Sequence, residues 1–270
     1  MSQTPDPGVN PESPDTRYCI EHPGGWLRDP LLGLLADAVD DLEKVRIANA
    51  NRLRQLTRDE ADSDGEERGF GLPLSNPVVK RLAQTVDTLE GAEHEAVLNL
   101  RRAMRAHPLA EYQKRHKGIG EKQLARLLAT VGDPYWNDLH DRPRLVSELW
   151  SYSGFDVRNG RAPRRTKGEK SNWSEECRKR VWVIASATPK FPGSHYEQVY
   201  RQARVKYASA GHTLECKGCG TTLGLGGPAP VGSPLADGHA HARAVRIVAK
   251  EILKDLWLES KALYQVSVKE

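Results

Sequence analysis

The sequence predicts a mainly α fold: a long helical hairpin or coiled coil, followed by a helical domain with a helix-hairpin-helix motif. Apolar residues recur at three- and four-residue steps through most of the chain, and strand-like alternation persists nowhere. Proline and glycine punctuate these periodic segments. We therefore divide the chain into a disordered tail (1–28), a helical hairpin (29–106) and a helix-hairpin-helix domain (107–270) with a Cys- and Gly-rich insert (211–237).

The tail prediction rests on composition. The first residues are rich in Pro, Asp, Ser and Gly and show no apolar period, which is typical of segments that cannot bury enough apolar surface to fold.

Two long apolar stripes predict the hairpin. The first consists of Leu31, Leu35, Ala38, Leu42, Val45, Leu53 and Leu56, with the polar Asn49 at the intervening position. The second consists of Val79, Leu82, Val86, Leu89, Ala92, Ala96, Leu100 and Ala103. These spacings suit an antiparallel hairpin, a dimerising coiled coil or plain bundle helices. We predict a homodimer through residues 31–104, in which Asn49 either fixes the register or marks an imperfect stripe.

Shorter helices are predicted in the remaining chain, separated by glycine- and proline-containing loops. They are expected from Pro108, from Leu124 to Val131, from Pro143 to Trp150, from Cys177 to Thr188, over 194–208 and from Gly238 to Leu263.

Composition excludes several classes of protein. Charges interrupt every apolar stretch, so a membrane span is not expected. The first residues show no basic segment followed by an apolar one, so secretion is not expected either. Four cysteines in 270 residues do not make a disulfide framework, so we expect a cytoplasmic, nucleoid-associated protein.

The net charge of +4 hides an asymmetry: residues 1–100 hold 10 basic and 19 acidic side chains, whereas 101–210 hold 23 and 11. Such a basic block favours a polyanionic partner.

Gly118, Ile119 and Gly120 lie between two short predicted helices, the signature of a helix-hairpin-helix. Two glycines allow a tight turn that brings backbone N–H groups to the start of the next helix, where they can bind a phosphate without reading a base. The turn is surrounded by the cations Lys114, Arg115, Lys117 and Lys122. DNA contact is the functional interpretation, and a purely structural helix–helix turn is the alternative.

A basic loop over 155–172 is the second candidate for DNA contact. Its predicted phosphate-binding residues are Arg161, Arg164, Arg165 and Lys167. No aromatic residue follows Arg158 until Trp173, so we expect a strip that neutralises phosphates and not a platform that stacks bases. A flexible solvated loop is the alternative.

Cys216 and Cys219 form the one C-x-x-C of the chain, and His239 and His241 begin the last predicted helix. Two thiolates and two imidazoles suit a tetrahedral zinc ion, and we predict a structural zinc held by these four residues. His212, four residues before Cys216, is a further imidazole nearby. Two free thiols on a loop are the alternative.

The last predicted helix has a basic face opposite an apolar one. The basic residues are Arg243, Arg246, Lys250 and Lys254. This pattern is typical of a solvated amphipathic helix.

The order of these motifs resembles the coiled-coil and C-terminal transposase region of the bridge-RNA-guided insertion-sequence transposases, the IS-one-ten family. The likeness covers roughly residues 31–262. It rests on the segments 51–56, 117–120, 127–133, 149–154, 178–187 and 244–257. The resemblance implies a DNA-handling protein, with structured RNA as an alternative partner.

Two departures from the family's pattern bear on catalysis. Family members carry an acidic, metal-binding RuvC-like domain, and we expect none among the few residues before the hairpin. They also carry a Ser-Gly pair in the loop after the segment that matches Gly154, where this chain has Asn159 and Gly160. An amide cannot replace a hydroxyl nucleophile. We therefore expect DNA binding without cleavage. The alternatives are an accessory or active recombinase working with a nuclease partner, and a protein-interaction module.

Overall fold

The computed structural model describes residues 24–158, 160 and 162–265 and confirms a mainly α fold. The helices described are α1 (Pro30–Thr57), α2 (Pro77–Ala106), α3 (Ala110–Arg115), α4 (Glu121–Val131), α5 (Val146–Tyr152), α6 (Glu175–Ala187), α7 (His195–Ala208), α8 (Lys217–Thr222) and α9 (Asp237–Gln265). A short 3₁₀ helix, Thr188–Lys190, follows α6. The strands β1 (Trp136–Asn137) and β2 (Arg142–Pro143) pair antiparallel, with Trp136 opposite Pro143. This two-residue pairing was not predicted, because it is too short for alternation to show in the sequence.

Helices α1 and α2 form an antiparallel hairpin. Each begins with a proline after a capping side chain, Asp29 for α1 and Asn76 for α2. Arg46 in the middle of α1 meets Glu93 of α2, with the Arg46 Nε 2.5 Å from the carboxylate. The N–H groups of the connecting segment bond back to the end of α1, as from Phe70. The two helices and the segment that connects them therefore form the hairpin within a single chain.

Only the base of the hairpin enters the main core. The buried residues of α1 lie in its first ten positions, and Leu100 and Met104 lie near the end of α2. Further out, Val45 remains 46% exposed, and the Asn49 amide donates to the Val45 carbonyl of its own helix at 2.9 Å. The Asn49 side chain thus bonds locally in this protein.

Ion pairs join the hairpin to the domain below it. The Arg126 guanidinium of α4, 7% exposed, lies 2.9 Å from Glu43 and also pairs with Asp40. Arg180 of α6 pairs with the same Asp40 and lies 2.6 Å from Glu176. Because both guanidiniums are buried, each requires these carboxylates.

Helix α9 is the central element of the domain. Its apolar face packs against α5, α6 and α7, and its buried residues extend from Ala240 to Tyr264. This helix therefore forms much of the core, and its position decides which side chains lie beside its neighbours.

The prediction of a disordered tail over residues 1–28 is wrong for residues 24–28. Residues 1–23 lie outside the described part, but Leu27 is 1% exposed and packs with Tyr135, Trp136 and Tyr264. The Asp133 carboxylate organises this contact: it accepts from the N–H groups of Leu27, Tyr135 and Trp136 and from the Tyr264 hydroxyl. The local composition of 24–28 could not reveal a partner more than 100 residues away.

None of the helices that the structure describes combines the length and apolar character needed to cross a bilayer.

We expect Asp133→Ala to lower the free energy of unfolding by about 3 kcal/mol, because it leaves several buried donors without their charged acceptor. Denaturant unfolding measures the change. The control is Asp138→Ala, which removes only an exposed pair with Arg28 at 3.2 Å and should cost less than about 1 kcal/mol. Equal losses would contradict the role given to Asp133.

Candidate functional site

The predicted helix-hairpin-helix turn lies between α3 and α4. Gly118 has φ +100°, and a Cβ there would approach the Phe191 ring to 2.9 Å, so this position requires glycine. Ile119 is buried in the main core, and Gly120 immediately precedes α4. The two glycines therefore lie in a turn between two helices, while the helix-hairpin-helix interpretation stays a prediction.

Most charges around this turn are already paired. Lys114 lies 2.6 Å from Glu111, and Arg115 lies 2.5 Å from Glu259. The first residue of α4, Glu121, accepts two hydrogen bonds from Arg105 and supplies an anion at the helix N-terminus. Lys117 is exposed and has no ion pair with a described residue. It is thus the cation that the turn can offer to a ligand.

Lys122 was also predicted to contact DNA, and the structure places it against the hairpin. Its side chain is 19% exposed, and its Nζ lies 3.5 Å from Glu43 and 3.7 Å from Glu93 of the hairpin. The sequence could not show that α4 packs with this side against α1 and α2.

A denser group of cations lies where α6, α9 and the basic loop meet. We call Arg164, Arg165, Arg178, Lys179, Arg246 and Lys250 the basic face. The Arg178 guanidinium lies 5.5 Å from the Trp173 ring and 5.9 Å from the Phe155 ring. The Arg246 guanidinium lies 5.4 Å from the Phe155 ring, and the Lys250 Nζ lies 3.9 Å from the Trp150 ring. Aromatic rings therefore hold these cations in place.

The cations at the centre of the basic face act on one another. Burial lowers the pKa of Arg246, and the charge of Arg178 lowers it further. Burial also lowers the pKa of Lys250, and the charge of Arg246 adds to this effect. Like charges held this close repel, so a bound anion would stabilise all three.

The charge of Asp156 raises the pKa of Arg246 and of Lys250 and so offsets this repulsion in part, but it does so without a direct ion pair. Within the described residues, no carboxylate lies within 4.0 Å of the charged nitrogens of Arg178, Arg246 or Lys250. Arg246 instead donates to the carbonyls of Gly154 and Asp156, and Arg178 donates to that of Pro163. These three cations therefore differ from the arginines below the hairpin, whose charges are matched by carboxylates.

The sequence interpretation of α9 as a solvated amphipathic helix is wrong for its basic side. Arg243, Arg246 and Lys250 are half-buried against aromatic rings. Only Lys254 behaves as expected of a surface lysine, 3.0 Å from Glu251.

The loop residues predicted to bind phosphate have different surroundings. Arg161 and Asn159 lie outside the described residues. Arg165 is 3.5 Å from Glu175 with 74% of its side chain exposed, and Arg164 and Lys167 are exposed on the same loop. Arg164 and Arg165 line a cleft with α6, so the loop folds back onto the domain.

A cluster of two cysteines and two histidines lies beside the basic face. His212, Cys216, Cys219 and His239 place one ligand atom each within 4.8 Å of the others, so this cluster could hold a metal ion. The Nδ1 of His239 lies 3.1 Å from the sulfur of Cys219 and 3.8 Å from that of Cys216. Three members belong to the insert and one to the first turn of α9.

His212 takes the place that the sequence prediction assigned to His241. Residues two apart on a helix point in different directions, so His239 and His241 cannot face one site. The Nδ1 of His241 instead lies 2.7 Å from the Tyr200 hydroxyl of α7. A helical projection of α9 could have excluded His241 and left His212 as the nearest remaining imidazole.

The hydrogen bonds of His212 leave one ring nitrogen available. Its Nδ1 lies 2.8 Å from the Ser233 carbonyl, the usual partner of a metal-bound imidazole. Its Nε2 is buried without a hydrogen-bond partner among the described residues. A buried nitrogen without a partner costs free energy unless a ligand uses its lone pair.

The insert folds around the two sulfurs. Cys216 immediately precedes α8 and pairs with Ala229 in an isolated β-bridge, and its thiol pKa is lowered by backbone N–H groups, that of Cys219 first. Burial raises the pKa of the Cys219 thiol. A Cβ on Gly220 would overlap the Gly227 carbonyl, so glycine is required where the two arms of the insert meet.

No family model, no curated protein and no solved structure matches this chain. The resemblance to the transposase region thus stays a prediction, and function must be inferred from the residues themselves.

Proposed function

We propose that this protein binds DNA through phosphate contacts made by the basic face. The observation that carries the proposal is the set Arg178, Arg246 and Lys250, held against aromatic rings with no carboxylate of the described residues in ion-pair range. The buried arginines at the hairpin are paired with carboxylates, as Arg126 and Arg180 are. Because the three cations of the basic face are not paired in this way, they are available to an external anion.

A polyphosphate backbone suits this arrangement better than a single small anion. The basic face extends from α9 across α6 to the loop, so its charges are distributed along a surface and do not converge on one point. Guanidinium groups donate bidentate hydrogen bonds to phosphate, and each neutralised phosphate releases condensed counterions. Contacts of this kind position the backbone without reading the sequence.

The helix-hairpin-helix turn supplies a second, weaker contact in this proposal. Its support is the exposed Lys117 beside the glycine turn, which has no ion pair with a described residue. The paired states of Lys114 and Lys122 limit what the turn contributes.

We further propose that the cluster of His212, Cys216, Cys219 and His239 holds a structural zinc ion. Two thiols and two imidazoles are a ligand set that zinc prefers, and four protein ligands leave no open position for catalysis. A metal on Nδ1 of His239 would put the ring proton on Nε2, so Arg243, whose Nε now lies 3.2 Å from that atom, would turn away. The metal would fasten the insert to α9 next to the basic face.

Replacing Arg164, Arg165 and Lys179 together by alanine should weaken DNA binding and flatten its salt dependence. The slope of log affinity against log salt is expected to fall by about 0.9 for each phosphate that the variant no longer neutralises. A fluorescence-anisotropy titration of a short duplex at several salt concentrations measures both quantities.

The matched control removes three exposed hairpin cations, Lys44, Lys80 and Arg81, for the same change in net charge. It should leave the slope almost unchanged. If both triple variants lose affinity equally, binding follows net charge alone and the proposed face is wrong.

Purified protein should contain about one zinc ion per chain, and His212→Ala should reduce this content sharply because a ligand is removed. His241→Ala should keep the metal, since that ring bonds Tyr200. Elemental analysis of both variants separates the two histidines. Retention of zinc by His212→Ala together with its loss from His241→Ala would restore the ligand set predicted from sequence.

A further inference from the structure

Half-buried tryptophans line the cleft between the basic loop and α6, together with the exposed cations Arg164, Arg165 and Lys179, which we call its rim. The volume of the cleft is 580 Å³, and it is open to solvent on one side. Trp173, Trp182, Val183 and Pro163 supply apolar surface. Arg164, Arg165, Arg178, Lys179 and Glu175 complete the lining.

We propose that this cleft takes an unpaired nucleobase of the bound DNA, stacked against its tryptophans. The inference rests on the proposed function and adds a preference for DNA with an unpaired nucleotide over fully paired duplex.

The apolar side chains of the cleft suit a nucleobase, and the cations of its rim suit the phosphates on either side of that base. A nucleobase presents a flat π-face, and stacking on an aromatic side chain tolerates any base. The guanidinium of Arg178 lies 5.5 Å from the Trp173 ring centroid, so that indole is already held by a cation on one side. Arg164, Arg165 and Lys179 are exposed residues of the cleft lining, so they are available to the phosphates that flank an inserted base.

The single acidic residue among those lining the cleft does not cancel this charge. Glu175 accepts from the Ser171 hydroxyl at 3.0 Å and lies 3.5 Å from Arg165. Four cations against one carboxylate leave the cleft net positive. An apolar peptide would gain nothing from this rim, whereas a nucleotide uses both parts of the cleft.

A duplex cannot present a base to such a cleft, because its bases are paired and stacked inside. Only a single-stranded stretch, a bulge or an extruded base can enter. The cleft therefore distinguishes branched or interrupted DNA from plain duplex, while the rest of the basic face binds either.

The sequence alone indicated the opposite, a phosphate strip without aromatic residues. The loop holds no aromatic residue between Arg158 and Trp173, but its fold places Pro163 and Arg164 beside Trp173 and Trp182, which lie at and beyond its end. Because this contact forms only when the loop folds back onto α6, the order of residues along the chain does not reveal it.

The test compares two labelled duplexes that differ only by one extra, unpaired nucleotide in the middle of one strand. Wild-type protein should bind the bulged duplex about 10-fold more tightly, a typical contribution of one stacked base. Trp182→Ala should lose most of this preference, and Trp182→Phe should keep most of it. Phe70→Ala removes an aromatic ring that is 66% exposed in the α1–α2 connection and should change nothing.

A second variant tests the cleft in case Trp182→Ala does not fold. Val183 lines the cleft with 40% of its surface exposed, so Val183→Trp fills the space without removing a buried contact. It should abolish the preference for the bulge while leaving affinity for the paired duplex unchanged, and the circular dichroism spectrum checks that it folds.

The outcomes separate this inference from the function on which it rests. If wild type binds both duplexes equally, or if Val183→Trp keeps the preference, the base site is wrong and phosphate binding stands. Binding confined to an RNA version of the oligonucleotides would also overturn it. If wild type binds neither duplex, the proposed function and this inference fail together.

Discussion

The burial of one side of α9 is the constraint on which the rest of the structure depends. Its apolar residues pack against α5, α6 and α7 and form the centre of the core. Side chains three and four positions apart share a helix face. His239, Arg243, Arg246 and Lys250 follow these steps, so burying the opposite side aligns them along one edge of the helix. The candidate metal ligand His239 and the cations Arg246 and Lys250 are therefore neighbours, because they lie along the same edge of α9.

Charge is distributed in two different ways around this helix. At the hairpin, arginines and carboxylates meet in pairs, as Arg126 does with Glu43, and these pairs hold α1 and α2 to the domain. At the basic face, Arg246 and Lys250 lie against aromatic rings, and the charge of Arg246 lowers the pKa of Lys250. Carboxylates of the first hundred residues thus pair with Arg46 of the hairpin and with several cations of the domain. Arg178, Arg246 and Lys250 have no such carboxylate partner in ion-pair range among the described residues.

The sequence revealed the helices well and their contacts poorly. Apolar periodicity and capping residues are local, so the hairpin, the glycine turn and the last helix could all be predicted. The sequence did not reveal two tertiary contacts: Lys122 lies beside hairpin carboxylates, and Asp133 bonds the Leu27 N–H in the segment 24–28. The choice of His241 over His212 was avoidable, because helix geometry alone excludes it. The homodimer and the transposase resemblance stay predictions, since nothing in a single chain tests them.

Lysine reactivity in the presence of DNA tests the central claim most directly. Protein is acetylated briefly with and without saturating duplex, and each lysine is quantified by mass spectrometry. We expect protection of Lys167, Lys179 and Lys250 on and beside the basic face, with unchanged reactivity at Lys44 and Lys80 on the hairpin. Protection confined to the hairpin lysines, or unchanged reactivity at all five under saturation, would contradict DNA binding through the basic face.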